Sequence, residues 1–157
     1  MTGFEPEPYC CQCISTIETS ISLKSIKKYG YSLCEDCQIW FSTKVFYTTQ
    51  ETLQLYFALR RLEIKAELEK KEELKRSDIR ISGSAILIEV DTQHHNHNHE
   101  QTIKDLHQQL SHPASNDHPV RIPSPLIKWE LPQVTRLIYN AVYRHDNARI
   151  FPKSRRA

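Results

Sequence analysis

The spacing of apolar residues predicts a helix followed by a strand near the start of the second third of the chain. Apolar residues recur at helical spacing from Thr48 to about Leu62. Thr48 is expected to cap this helix, with Glu51 completing a capping box. Apolar and charged residues then alternate in residues 64–68, which is typical of a half-buried strand.

Two further alternating runs, SDIRIS and AILIEVD, are separated by Gly83-Ser84 and predict a β-hairpin. With a two-residue turn, Arg80 faces Leu87 and Asp78 faces Glu89, whereas a three-residue loop would break this pairing. Asp91 follows Glu89 by two residues and shares its face, so three carboxylates are expected to converge. Like charges this close repel unless a cation or a proton neutralises them, and a hard divalent ion with oxygen ligands, Mg²⁺ by default, is the simplest expectation.

The remaining pattern completes a mixed fold. Residues 101–110 carry an apolar helical stripe, residues 119–124 read as a short strand, and a last helix is expected from Leu131, with Pro132 near its start. The order is therefore helix, strand, hairpin, helix, strand, helix, without an internal repeat. This order indicates the α/β (α+β) class, built on an αβββαβ core.

All five cysteines lie near the N-terminus, and their spacing predicts a zinc site. Cys10 and Cys13 form one CxxC pair, and Cys34 and Cys37 form another about 20 residues later. Tetrahedral zinc takes four soft ligands, and each CxxC turn offers two. Cys11 is left over, although it could replace Cys10. The β-branched residues between the pairs and a Tyr-Gly-Tyr turn predict a small zinc ribbon or finger.

Composition and charge describe an intracellular, cytoplasmic protein with a basic C-terminal part. Of its 157 residues, 39% are hydrophobic, which is enough for a packed core. The sequence contains no apolar run long enough to cross a membrane. The formal net charge is only +2. From Val120 onward, however, Lys and Arg greatly outnumber acidic residues, so this part could follow a phosphate backbone. Arg121, Lys128 and Arg136 are its candidate nucleic-acid contacts.

The order of elements and its acidic residues resemble the PD-(D/E)xK nuclease superfamily, in particular the small branch that includes very-short-patch repair endonucleases. The resemblance covers roughly residues 49–145. The matching pieces are Asp78-Ile-Arg-Ile, Ile88-Glu89-Val90-Asp91, His95, Gln101, Asp105-Leu106 and Arg121-Ile122-Pro123-Ser124. The fold it implies is a restriction-endonuclease-like core, here with a small N-terminal zinc-binding module.

The resemblance also implies site residues. Asp78 and Glu89 would hold a catalytic Mg²⁺ with the Val90 carbonyl, and Asp91 stands where the superfamily often has lysine. His95 matches a histidine of the branch and would orient the attacking water or protonate the leaving oxygen, as Gln93 could. Glu51 matches an acidic residue of the first helix and is also explained as a cap residue.

The chain departs from the branch at three places. Thr92 replaces a usual glycine, His94 stands where glutamine is frequent, and no basic residue closely follows Asp105. The function expected is a Mg²⁺-dependent DNA endonuclease, with RNA as another substrate, working as a monomer or homodimer. The alternative is a non-catalytic zinc-finger nucleic-acid-binding or adaptor protein.

The organisation expected is a zinc module over residues 1–47, a nuclease-like core over 48–146 and a basic tail over 147–157. An HNH nuclease is disfavoured because the histidines crowd into six positions rather than spreading over a hairpin and a helix. Trp40, Phe41 and Trp129 are interpreted as packing aromatics.

Overall fold

The protein is described by a computed structural model that covers residues 8–44, 48–69, 77–92, 98–111 and 119–150, with side chains described to Tyr143. It is a mixed α+β structure that divides into two compact units, Met1–Thr48 and Thr49–Ala157. No helix in the described ranges combines the length and the apolar character needed to cross a bilayer.

The first unit is built from two helices, α1 (Thr19–Tyr29) and α2 (Glu35–Lys44). The prediction between the cysteine pairs was a small zinc ribbon or finger; helix α1 contradicts the ribbon, and the finger stays a prediction. The predicted Tyr-Gly-Tyr turn is confirmed: Gly30 ends α1 with a φ of 80°, and its N–H donates to the Ile26 carbonyl. Glycine suits this left-handed position because it has no Cβ.

Two buried serines explain why a helix replaces the expected ribbon. Ser22 and Ser25, one turn apart on α1, are both fully buried. The Ser25 hydroxyl donates to the Tyr31 carbonyl over 2.7 Å and accepts from the Leu33 N–H at 3.0 Å. Ser22 Oγ lies 2.8 Å from Ser32 Oγ. These bonds dock the helix on the chain that leads to the second cysteine pair.

Phe41 is the aromatic centre of this unit and is only 1% exposed. Its ring lies 5.4 Å from that of Tyr29 and 5.9 Å from that of Tyr31, and the half-buried Trp40 is 6.4 Å away. The interpretation of Phe41 as a packing residue is confirmed.

The second unit has the predicted order of elements. They are α3 (Gln50–Arg61), β1 (Ala66–Leu68), β2 (Ile79–Ile81), β3 (Leu87–Asp91), α4 (His99–Ser111), β4 (Val120–Pro123) and α5 (Ser124–Ile150). The strands form one sheet in the order β1-β2-β3-β4, antiparallel except for the parallel β3–β4 pair. Helix α5 begins earlier than predicted, at Ser124, and is kinked at Glu130.

Alternate strand residues bury one face of the sheet against the helices. Ile79, Ile88 and Ile122 are completely buried. Arg80, next to Ile79, and Arg121, next to Ile122, are exposed on the other face. Helix α5 packs on both α3 and α4. Burying such branched side chains contributes about 1.5–3 kcal/mol each, so this layer holds the strands in place.

The predicted hairpin register is confirmed, although its turn differs. Arg80 lies opposite Leu87, and Ile79 opposite Ile88. The Ser84 N–H donates to the Ile81 carbonyl and closes a turn in which Gly83, with a φ of 78°, is the third residue rather than the first of two central ones. The register is retained because buried isoleucines on both strands specify it.

Candidate functional site

Four cysteines of the first unit come together in a candidate metal centre. The sulfur atoms of Cys10, Cys13, Cys34 and Cys37 all lie within 4.8 Å of one another, close enough to bind one metal ion such as zinc. The Sγ atoms of Cys13 and Cys34 are 3.7 Å apart. Cys11 stands outside this group. The CxxC spacing therefore predicted correctly which four thiols lie together.

The backbone around the first pair arranges these sulfurs. The Cys10 N–H donates to the Ser15 carbonyl, and the Ile14 N–H to the Cys10 carbonyl, each over 2.8 Å. The Cys11 N–H reaches the Ser32 carbonyl, also at 2.8 Å, which joins the two cysteine segments. The second pair lies at the start of α2, where the helix dipole favours thiolates.

The thiol pKa values show that four thiolates need a cation. Burial raises the pKa of the Cys10 thiol, and burial together with the Cys34 and Cys10 side chains raises that of Cys37. Burial also opposes ionisation of Cys13. However, hydrogen bonds from the Ser15 hydroxyl and backbone, and from Cys10 and Cys34, lower the Cys13 pKa to about 6. Without metal, ionisation is thus favoured at Cys13 and opposed at Cys10 and Cys37, whereas a bound cation would favour thiolates in the cluster.

The second unit places the predicted acidic residues around the end of β3. Asp78 precedes β2, and its Oδ2 accepts a 2.7 Å hydrogen bond from the Val90 N–H. The Asp78 N–H donates to the Ile88 carbonyl, also at 2.7 Å. Glu89 and Asp91 are half-buried and alternate with the buried Ile88 and Val90, so they share a face as predicted. Asp78 is thus tied to β3 between the two acidic residues of that strand.

The three carboxylates do not, however, gather at one point. Within the described ranges, the four cysteines are the only set of three or more side chains placed to hold a common metal ion. Asp78 is directed to the backbone of β3, and Glu89 Oε2 pairs with Arg121 Nε at 3.4 Å. Arg121 can reach Glu89 because the two residues are partners in the β3–β4 register. Metal binding by Asp78 and Glu89 stays a prediction.

The expected cap of the first helix is wrong by one residue. Thr49, not Thr48, is the cap of α3, and its hydroxyl accepts from the Thr52 N–H at 3.2 Å. Thr48 instead donates to the Lys44 carbonyl. Glu51 is half-buried in the first turn of α3. The other two predicted catalytic residues, Gln93 and His95, lie outside the described residues.

The predicted nucleic-acid contacts Arg121, Lys128 and Arg136 are all exposed. Arg136 lines an open cleft of about 480 Å³ beside Arg61 and Tyr139. The interpretation of Trp129 as a packing residue is wrong, because 66% of it is exposed. The sequence feature that indicates this exposure is the position of Trp129 between two charged residues, Lys128 and Glu130.

Comparisons with known proteins identify no relative of this chain. No family model matches it, and neither does any curated protein or solved structure.

Proposed function

We propose that this protein is a Mg²⁺-dependent endonuclease that hydrolyses phosphodiester bonds in DNA, with its four cysteines holding a structural zinc ion. The observation that carries the proposal is the β2–β3 register, which brings Asp78 against Val90, between Glu89 and Asp91. The sequence resembles PD-(D/E)xK nucleases, which have acidic residues at these positions of two adjacent strands. This resemblance supports a catalytic role for Asp78 and Glu89.

The chemistry of the residues fits a hard divalent cation. Asp78 uses Oδ2 for the Val90 amide, and a carboxylate has a second oxygen for a ligand bond. The Glu89–Arg121 pair is exposed at 40% and 69% of its side chains, and such pairs contribute only about 0–1 kcal/mol. A divalent ion would therefore compete successfully for Glu89. Asp78, Glu89 and the Val90 carbonyl would hold Mg²⁺, which lowers the pKa of water and neutralises developing charge.

The protein's own side chains would position the nucleic acid. Arg121, once released from Glu89, has the planar guanidinium that grips a phosphate through two parallel bonds. Lys128 adds a positive charge on α5. Asp91 lies on the Glu89 face and would accept a proton, and His95 and Gln93 follow closely in the chain and would orient water.

The zinc module would supply a rigid element rather than chemistry. A unit of this size gains much of its stability from metal binding, because its hydrophobic core is too small to supply it alone. Four cysteine ligands leave no open position on tetrahedral zinc, which is the arrangement of a structural site.

Nicking of supercoiled plasmid by the full-length, zinc-loaded protein tests the proposal. We expect cleavage with Mg²⁺, reduced at least about 100-fold in Asp78→Asn and Glu89→Gln. Glu67→Gln is the matched control, since Glu67 is an exposed carboxylate on β1 of the same sheet. Equal cleavage by the two site variants and the control would overturn the assignment. A structured RNA in the same assay decides between the two nucleic acids.

One observation favours a second function. Because the described carboxylates form no ion-binding group, a non-catalytic nucleic-acid-binding or adaptor protein is the competing proposal. It predicts that wild-type protein binds nucleic acid without cleaving it and that Glu89→Gln leaves the affinity unchanged or higher, since repulsion of phosphate falls.

A further inference from the structure

Trp129 is a large aromatic side chain left in solvent by the fold. It is 66% exposed, whereas Leu126 and Ile127 of the same helical turn are almost completely buried. The next exposed positions along α5 include Gln133 and Arg136. Trp129 therefore lies on the solvent side of α5, facing away from the core of its unit.

Helix α5 is kinked immediately after Trp129. Glu130, the next residue, leaves helical geometry with φ −129° and ψ 30°, and Pro132 follows inside the helix. Proline has no N–H to donate to the carbonyl four residues earlier, here Lys128, and its ring clashes with that carbonyl, so a kink between these residues is expected. The Glu130 carboxylate lies 3.7 Å from His99 Nδ1, so the first residue of α4 contacts the kink.

Topology places the start of α5 at the edge of the sheet that carries the acidic residues. Pro123 is the register partner of Asp91, and α5 begins at the next residue, Ser124. A helix rises about 1.5 Å per residue, so Trp129 lies only about 8 Å along the axis from that edge. Helix α4 also follows β3 closely in the chain and meets Glu130. The start of α5 is thus next to Asp91 in the sheet register, and Trp129 follows that start by five residues.

A basic group accompanies the indole. Lys128 Nζ lies 5.2 Å from the centre of the Trp129 ring and is exposed. An exposed indole with an adjacent ammonium offers a flat π-face for a base and a positive charge for the neighbouring phosphate. Arg121, exposed on β4, provides a second cation toward Glu89.

We propose that Trp129 and Lys128 form a stacking platform for an unpaired base of the nucleic-acid substrate. The inference rests on the proposed function in naming nucleic acid as substrate, and it adds that the substrate has a single-stranded or unstacked nucleotide that stacks on Trp129. Paired bases in a continuous duplex expose no free π-face, so the platform discriminates against them.

Tryptophan fluorescence tests the platform directly. In zinc-loaded, full-length Trp40→Phe protein, Trp129 is the remaining tryptophan. Without Mg²⁺, we expect an oligo(dT) of about 12 nucleotides to quench it, and a duplex of equal length to quench it less. Trp129→Ala should weaken oligo(dT) binding by about 5- to 100-fold, whereas Trp129→Phe should keep most of the affinity. Lys128→Ala should reduce binding more than the control Lys104→Ala, since Lys104 is an exposed lysine paired with Glu100 on α4.

The outcomes separate this inference from the proposed function. Trp129-dependent binding without Asp78-dependent cleavage keeps the platform and rejects the nuclease. Asp78-dependent cleavage with equal affinities in wild type, Trp129→Ala and Lys104→Ala rejects the platform alone. Sedimentation of the free protein supplies the last arm: a dimer that Trp129→Ala dissociates, with unchanged oligonucleotide affinity, would make Trp129 a contact between protein copies and overturn the inference.

Discussion

Asp78 has a structural task that can be separated from its proposed catalytic one. Its carboxylate accepts the Val90 N–H at 2.7 Å and so links the entry of β2 to β3. Hydrogen bonds to charged groups contribute about 1.5–3 kcal/mol, and those between neutral groups about 0.5–1.5 kcal/mol. Asp78→Ala leaves the Val90 amide without this acceptor on a strand whose side chains are largely buried, so we expect a loss of about 2–3 kcal/mol. Asp78→Asn keeps a carbonyl oxygen and should cost about 1 kcal/mol.

Urea unfolding of the zinc-loaded protein, followed by far-UV circular dichroism, measures the difference. The two units call for a two-transition analysis, in which the variants move only the transition of the second unit. With a urea slope of about 1–3 kcal/mol per molar, Asp78→Ala should lower that midpoint by about 0.7–3 M. Glu67→Ala on β1 is the control and should change it little, because Glu67 is exposed.

Plasmid nicking then separates the catalytic role of Asp78 from its structural role. Asp78→Asn should retain nearly normal stability while losing plasmid nicking, which assigns the loss to the missing charge rather than to unfolding. Equal midpoints for Asp78→Ala and wild type would refute the structural reasoning. Full nicking by Asp78→Asn would show that Asp78 serves the fold alone.

Three further predictions concern the metal centre and the basic surface. Zinc binding should release at least two protons at neutral pH, because burial raises the pKa of Cys10 and Cys37 while Cys13, lowered to about 6, is already ionised. Metal-bound thiolates stabilise the fold at high pH, and this stabilisation is lost as pH falls and the thiols take up protons. The logarithm of zinc affinity should therefore rise by about two or more per pH unit between about pH 6.5 and 8.5. A flat profile in competition titrations would contradict this. Ser25→Ala removes both bonds of a buried hydroxyl and should cost about 2–3 kcal/mol, seen as at least tenfold weaker zinc binding, with exposed Ser20→Ala unaffected. Arg121→Gln should change stability by less than about 1 kcal/mol but reduce the salt slope of DNA binding by about one, and an unchanged slope would remove Arg121 from the interface.

The order of elements in the second unit could be predicted because its strands alternate and its helices carry apolar stripes. The hairpin register followed for the same reason: Ile79 and Ile81 on one strand, and Ile88 and Val90 on the other, must reach the same core. The cysteine group was equally accessible, since CxxC spacing depends only on local turns.

Other features depend on contacts that the periodicity of a single element does not reveal. The helix α1 was missed because its buried face contains serines, which are usually exposed; Ser22 and Ser25 are buried here only because Ser32, Tyr31 and Leu33 satisfy them. The exposure of Trp129 was missed for a related reason. The apolar spacing of the last helix was traced from Leu131, so the shorter segment before the kink was not interpreted as helix.

The position of Asp78 shows how the fold constrains the candidate site. The turn formed differently from the prediction, yet Arg80 and Leu87 still face each other, so the turn is not what fixes the register. A slip of one residue would turn the isoleucines of β2 outward, and the lost burial would cost far more than any turn could offset. It would also detach Asp78 from Val90. The same apolar residues that build the core therefore hold Asp78 against Val90 of β3, and any variant that preserves these isoleucines should preserve that contact whatever the loop between the strands.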